Sequence, residues 1–292
     1  MSTLPFDDRD GQIWYNGKLI PWRDANIHIL NHGLHYASSV FEGERVYDGQ
    51  IFKLREHSQR LIDSAKMLDF DLPYTVEELD AASIEACKAN GVENGYVRPV
   101  AWRGSEMMAI SNRHSSIHVA IAAWEWGAYF KQAKDQGVRL TWAKWKRPSP
   151  ETEPVAAKAA GLYMICTLSK HAAEDAGFDD ALMQDYRGYI AEATGANIFF
   201  VMDGELHTPT PDCFLNGITR RTVMGLAEKR GIKVVERHIK PEEISHASEA
   251  FLTGTAAEIT PIGQIADQTF AVGEITKILM DDYSQLVHGG DQ

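Results

Sequence analysis

Lys158 stands in the run Ala156-Ala157-Lys158-Ala159-Ala160-Gly161. Small neighbours let a lysine enter a tight, partly desolvated site, where its amine becomes nucleophilic and can form a Schiff base with a carbonyl. The same run also fits a surface lysine at the start of an Ala-rich helix. Glu192 lies in Gly188-Tyr189-Ile190-Ala191-Glu192-Ala193-Thr194-Gly195-Ala196-Asn197. A carboxylate placed after a strand in a Gly-containing turn can reach a buried cationic nitrogen; a solvated turn glutamate fits as well. In Gly217-Ile218-Thr219 a loop ends and a helix opens, which aims backbone N–H groups and a hydroxyl at any docked anion. Thr253-Gly254-Thr255-Ala256 follows an apolar strand and could form a second anion nest. Singly, each is an N-cap or a turn. Together they set two hydroxyl-bearing loops beside one lysine and one glutamate. An aldehyde cofactor with a phosphate and a basic pyridine nitrogen requires that set.

Metal chemistry is the competing reading. His28, His32 and His35 are spaced i, i+4 and i+7, which on a helix would share one face. No glutamate follows the first histidine, and Ile27-His28-Ile29-Leu30 reads as a strand. The histidines are therefore expected to be hydrogen-bonding residues of a turn, with no metal.

The elements that must hold these residues alternate in type. Ile13–Tyr15 and Lys18–Ile20 flank Asn16-Gly17 and read as a hairpin. Ile51–Leu54 reads as a strand, and Glu56–Phe70 and Glu77–Asn90 as helices. Strands are expected at Tyr96–Trp102, Ile117–Trp124, Arg139–Ala143, Asp180–Asp185 and Asn197–Met202. Helices are expected at Leu162–Ala176, Thr219–Arg230 and Val272–Leu286, with Gly177 and Gly231 as C-caps. Hairpins mixed with helices indicate an α+β (mixed α/β) fold, not a doubly wound parallel sheet. A polar stretch over 131–137 is expected to link a smaller domain, 1–130, to a larger cofactor-binding domain, 138–292.

A net charge of −12 over 292 residues argues against nucleic acid as a partner, because phosphate backbones need a basic face. Any anionic cofactor must then be met by a few placed Arg and Lys residues. The apolar stretch Ile117–Ala123 is too short to span a bilayer. Met1–Asp10 is charged with no apolar run, and the three cysteines, Cys87, Cys166 and Cys213, are too far apart for a zinc motif or a disulfide framework. A cytoplasmic protein is expected.

Across nearly its full length the chain resembles the fold-type IV pyridoxal-phosphate aminotransferases, and the branched-chain amino-acid aminotransferases most closely. The matching stretches begin with His35-Tyr36, Ser39-Val40-Phe41-Glu42-Gly43, Arg55-Glu56-His57 through Gln59-Arg60-Leu61, and Tyr96-Val97-Arg98-Pro99. They continue with Trp126-Gly127-Ala128-Tyr129, the Lys158 segment, Glu192 with Gly195 and Asn197, Gly217-Ile218-Thr219-Arg220, and Gly254 to Pro261. The resemblance implies a two-domain fold and pyridoxal 5'-phosphate as cofactor. It implies that Lys158 is the Schiff-base lysine and proton shuttle, Glu192 the partner of the pyridine nitrogen, and Tyr163 a donor to the ring oxygen. Arg60, Ile218, Thr219 and Thr255 resemble the phosphate ligands, with Gly195, Asn197, Gly217 and Gly254 in the cofactor-binding set.

On the substrate side the resemblance implies amino acids and 2-oxo acids. Phe41, Tyr36, Trp126 and Tyr129 would wall an aliphatic side chain, with Gly43 beside them. Arg98 would pair with the distal carboxylate of glutamate, and Tyr96 with the backbone of Thr255 and Ala256 would take the α-carboxylate. The residue matching Tyr36 comes from a second subunit in the family, so a homodimer or larger assembly is implied. The chain is thus expected to exchange amino groups between L-leucine, L-isoleucine or L-valine and 2-oxoglutarate. Two departures bear on substrate range. Arg103-Gly104 is similar to a step of the D-amino-acid branch, although Ser105-Glu106-Met107-Met108 lacks that branch's further Arg and His, and Glu44 adds a carboxylate near Phe41. A D-amino-acid or (R)-amine transaminase is the alternative on the same scaffold, with aminodeoxychorismate lyase behind it. A silent binding protein would not need Lys158, Glu192 and Arg60 together.

Overall fold

The computed structural model describes residues 5–127 and 136–289. The chain forms two compact units: Met1–Gly127 with Ala157–Gly161, and Ala128–Ala156 with Leu162–Gln292. The expected linker over 131–137 lies largely outside the described residues, as does Tyr129.

The first unit is built on β1 (Gln12–Tyr15), β2 (Lys18–Pro21), β3 (Ser39–Phe41), β4 (Glu44–Tyr47), β5 (Gln50–Ile51), β6 (Gly95–Arg103) and β7 (Ile117–Glu125). They form an antiparallel sheet in the order β2-β1-β7-β6-β4-β5, with β3 also paired to β6. The first hairpin forms as expected, because Asn16 and Gly17 both take the positive φ that its tight turn needs. Helices α1 (His32–Tyr36), α2 (Leu54–Met67) and α3 (Val76–Ala89) complete the unit. Thr75 and Glu78 close a reciprocal capping box at the start of α3.

Two expectations fail here. Residues 52–54 are not strand: β5 stops at Ile51, Lys53 turns left-handed, and α2 begins at Leu54. The short apolar run is overridden by the helical pattern that follows it. Ile27–Leu30 is irregular backbone and not a strand.

The second unit contains β8 (Val138–Trp142), β9 (Asp180–Gln184), β10 (Ile190–Ala193), β11 (Asn197–Met202), β12 (Glu205–Pro209) and β13 (Val234–Arg237). It continues with β14 (Glu249–Gly254), β15 (Glu258–Ile265) and β16 (Gln268–Thr269), and with helices α4 (Met164–Asp175), α5 (Ile218–Lys229) and α6 (Glu274–His288). The sheet order is β10-β9-β8-β15-β14-β11-β12-β13, with β16 on β15. Pairs β8–β9, β8–β15 and β12–β13 are parallel, and the rest are antiparallel. Every residue of β11 is buried, and beyond Asn197 it reads as a continuous apolar run, with Ile198 and Phe200 packed in one core with Leu140, Leu182, Leu252 and Ile262. Burial of each such side chain contributes about 1.5–3 kcal/mol. Gly177 and Gly231 take positive φ just beyond α4 and α5, as C-caps do. The architecture is the expected mixture of helix and strand. No helix among the described residues is long and apolar enough to cross a membrane.

Candidate active site

In the first unit the lysine segment is stitched to β3 and α2. Phe41 N–H donates to Lys158 O at 3.1 Å, Lys158 N–H donates to Ser64 Oγ at 3.0 Å, and Val40 bridges Ala159. Ala157 and Ala159 are buried, and a Cβ on Gly161 would press on that of Ala37. The small flanking residues thus have a steric reason, and the helix-start alternative falls. Lys158 is half-buried, with Nζ 4.8 Å from the centre of the Phe41 ring.

Next to Phe41, Glu42 turns the other way and is fully buried. It accepts from Arg60 Nε at 2.6 Å, Arg60 Nη2 at 2.8 Å and His57 Nδ1 at 2.7 Å. Residues 57, 60, 61 and 64 share the inner face of α2, so one helix delivers both partners. Burial alone would raise the Glu42 carboxyl, but the Arg60 cation and the His57 hydrogen bond hold it well below the usual range. Burial pushes His57 below its ordinary value, helped by the Arg60 and Lys158 cations and opposed by Glu42.

A second group gathers around β6. Tyr96 and Arg98, two apart, share a face, and Arg98 Nη2 donates to the Tyr96 hydroxyl at 3.3 Å. The Arg98 guanidinium lies 4.9 Å over the Phe41 ring, and Trp126 meets Tyr96 edge-on at 4.7 Å. A side chain on Gly43 would overlap the Tyr96 hydroxyl, so glycine is needed there. Arg98 Nε is buried and makes no hydrogen bond among the described residues. Arg98 also lines a cavity of 630 Å³ whose walls include Ile13, Tyr15, Val100, Ala120 and Ala122. Tyr36 instead packs on His32 and stays 43% exposed.

In the second unit Glu192 and Asn197 organise a third group. Asn197 Nδ2 donates to Glu192 Oε2 at 3.1 Å and to Leu215 O at 3.0 Å, while its Oδ1 accepts from Gly217 N–H at 3.2 Å. A Cβ on Gly217 would overlap Asn197 Oδ1. One amide therefore ties the buried carboxylate to the loop that opens α5. Gly217 caps α5 without a side-chain hydrogen bond, with Ile218 and Thr219 buried in the first turn. Arg220, fully buried, pins this loop by donating to Asn216 Oδ1 at 3.0 Å and Pro209 O at 3.0 Å. Thr255 and Ala256 sit in the turn between β14 and β15, and Gly254 approaches Gly195 and Ala196. Tyr163 ends a short 3-10 turn just before α4.

Residues 39–265 match the family model for amino-transferase class IV. The chain belongs to the class IV aminotransferases. It is 42% identical to the branched-chain-amino-acid aminotransferase of Pseudomonas aeruginosa, over 97% of this chain and 94% of that protein. Its fold matches the branched-chain aminotransferase of Thermoproteus uzoniensis with norvaline at a TM-score of 0.92 and 39% identity, over 96% of each chain. The T.th. branched-chain amino acid aminotransferase complexed with N-(5'-phosphopyridoxyl)-L-glutamate matches at a TM-score of 0.91 and 37% identity, over 96% of this chain and 95% of that one.

Several residues of this aminotransferase escaped the reading of its sequence. Glu42 and His57 lie inside the matching stretches, but neither their types nor their spacing marks them as the clamp on Arg60. Arg147 carries no sequence signal; it is buried beside Glu192, with Nε 3.4 Å from Glu192 Oε1. Both departures resolve structurally. Glu44 pairs with Val97 and so lies on the opposite face from Tyr96 and Arg98, buried near Glu42 and Asp80. Arg103 is buried and donates to the carbonyls of Asn112, Leu68 and Asp69, closing the end of α2. The histidines are likewise engaged locally: His32 with Ser38 Oγ and Ala109 O, His35 with Ile29 O, and His28 with Leu30 N–H.

Taken unit by unit, the groups present have the chemistry that pyridoxal phosphate calls for. The first unit offers a half-buried primary amine and a clamped guanidinium, and the second a buried carboxylate and helix-start N–H groups beside glycines.

Proposed function

We propose that this aminotransferase exchanges amino groups between the L-branched-chain amino acids leucine, isoleucine and valine and 2-oxoglutarate, with pyridoxal 5'-phosphate as cofactor. The observation that carries this reading is Arg98. Among the described residues its buried Nε has no hydrogen-bond partner, while the Phe41 and Tyr96 rings flank the guanidinium. A pocket built so can take an aliphatic side chain against Phe41, Tyr96 and Trp126, and a second carboxylate on Arg98 when glutamate is the substrate. The relative bound to a phosphopyridoxyl-glutamate adduct supports the same pairing.

When bound, pyridoxal phosphate supplies an electron sink for the substrate's amino-bearing carbon. Lys158 would hold it and carry the proton to and from that carbon. Glu192 would keep the ring nitrogen protonated, and Tyr163 would donate to the ring oxygen. Arg60, the first N–H groups of α5, Thr219 and Thr255 would bind the phosphate, in an environment shaped by Gly195, Asn197, Gly217 and Gly254. Tyr96 with the Thr255 and Ala256 backbone would take the α-carboxylate. Tyr36 lies among the exposed apolar residues Ile27, Ile29, Leu30 and Leu34, as expected if it enters the site of a second copy in a homodimer.

The D-amino-acid and (R)-amine readings lean on Arg103, whose guanidinium is already engaged by backbone carbonyls. Single-turnover mixing of the holoenzyme with L-leucine, L-glutamate, D-alanine or (R)-phenylethylamine tests the choice. Fast amination of the cofactor by the first two and none by the others is expected. The reverse pattern overturns the proposal.

A further inference from the structure

Arg147 has no part in the roles above, yet it is a buried cation beside Glu192. The residue is 4% exposed. Its backbone is fixed to the second sheet: Arg147 N–H donates to Gln184 O at 2.8 Å, and the residue bridges Asp185. Its side chain is fixed too. Nη1 donates to Leu162 O at 3.3 Å and lies 3.4 Å from Cys166 Sγ, so the guanidinium is anchored at the turn that carries Tyr163. Nε stands 3.4 Å from Glu192 Oε1, while the other oxygen of that carboxylate takes the Asn197 amide.

Asn197 orients Glu192 but brings no charge. Burial disfavours the ionised form of a carboxyl, and a neutral amide offsets this only in part. A cation in contact with it reverses that preference, typically by roughly one to three pKa units. Burial opposes the Arg147 charge as well, but Glu192, Cys166 and Tyr163 around it raise its pKa above the ordinary value. The cation therefore persists.

We propose that Arg147 is a positioning residue that holds Glu192 as a carboxylate, so that the proton shared with the cofactor's ring nitrogen rests on the nitrogen. The proposal builds on the reading of Glu192 as the ring-nitrogen partner. A cation touching the carboxylate acts on it more strongly than on a group one hydrogen bond further away, since Coulomb energy falls with distance. Without Arg147 the proton moves toward Glu192, and the ring becomes a poorer electron sink.

The test uses holoenzyme loaded with pyridoxal phosphate carrying ¹⁵N in its ring, whose chemical shift reports protonation without turnover. Wild type should show a protonated nitrogen at neutral pH. Arg147→Met should move it toward the unprotonated shift and slow the half-reaction with saturating L-leucine, by about tenfold for each pKa unit of lost preference. The leucine concentration for half-saturation should change little, and Arg147→Lys should recover most of both signals. A protonated nitrogen in Arg147→Met, as in wild type, overturns the role of Arg147 and leaves that of Glu192 standing. An unprotonated nitrogen in wild type overturns the reading of Glu192. Should Arg147→Met not fold, two measurements decide. Arg147→Gln keeps a donor for Leu162 O without the charge and must give the same shift. In wild-type apoprotein, the infrared difference against Glu192→Gln must show an ionised carboxylate down to about pH 5; a protonated one there overturns the proposal.

Discussion

Arg60 presents its Nε and Nη2 edge to Glu42, whose two oxygens accept at 2.6 and 2.8 Å from a fully buried position. Such a two-point clasp fixes the plane of a guanidinium as well as its place. His57 holds the same carboxylate from one turn earlier on α2. The cation proposed for the cofactor phosphate is thus aimed before any phosphate arrives.

Replacing Glu42 by Gln leaves one acceptor oxygen and no charge. A charge-assisted hydrogen bond contributes about 1.5–3 kcal/mol, so affinity for pyridoxal phosphate should fall by about tenfold or more. Fluorescence titration of the apoprotein measures it. Unchanged affinity would show that the phosphate does not depend on the aim of Arg60.

Glu44 gives a pH dependence of definite sign. Burial, then the charges of Glu42 and Asp80, raise its pKa, so the folded protein keeps a proton that the unfolded chain releases above about pH 4.3. Folding then takes up a proton, and stability falls as pH rises from there, by at most about 1.4 kcal/mol per pH unit. Glu44→Gln removes this loss. Urea midpoints should show the variant gaining on wild type from acidic to neutral pH. The lowered pKa of His57 acts oppositely in both proteins, costing stability as pH falls below about 6.5, and cancels in the comparison. A constant gap across pH would mean that Glu44 is ionised in the folded state.

Borohydride reduction of the holoenzyme, followed by peptide mapping, should place the pyridoxyl group on Lys158. Its backbone is pinned by Phe41 and Ser64, so the segment presents its amine from a fixed place. Label on Lys144 or Lys146 would falsify the assignment.

Arg98→Ala should separate the two half-reactions. A guanidinium bond to the second carboxylate of glutamate contributes about 1.5–3 kcal/mol, whereas leucine gains nothing from it. The half-reaction with L-glutamate should lose about tenfold to a hundredfold more than that with L-leucine. Equal losses would assign Arg98 to the shared α-carboxylate or to packing.

Local sequence determined much of this protein. The turn at Asn16-Gly17, the helix ends at Gly177 and Gly231, and the strand Asn197–Met202 follow from residue types and spacing, because caps, turns and periodicity act over a few residues. The small flanks of Lys158 and the motifs around Glu192 and Gly217 were legible for the same reason. What partners these residues meet was decided only by tertiary structure. Glu42 is fifteen and eighteen positions from His57 and Arg60 in the chain, and the α2 face makes them neighbours. Glu44 and Arg103 looked like changes to the substrate pocket, but strand pairing turns one away from Tyr96 and Arg98, and the end of α2 engages the other. Arg147 meets Glu192 across forty-five positions. A charge acts through space, at a distance and in a dielectric that the fold alone sets.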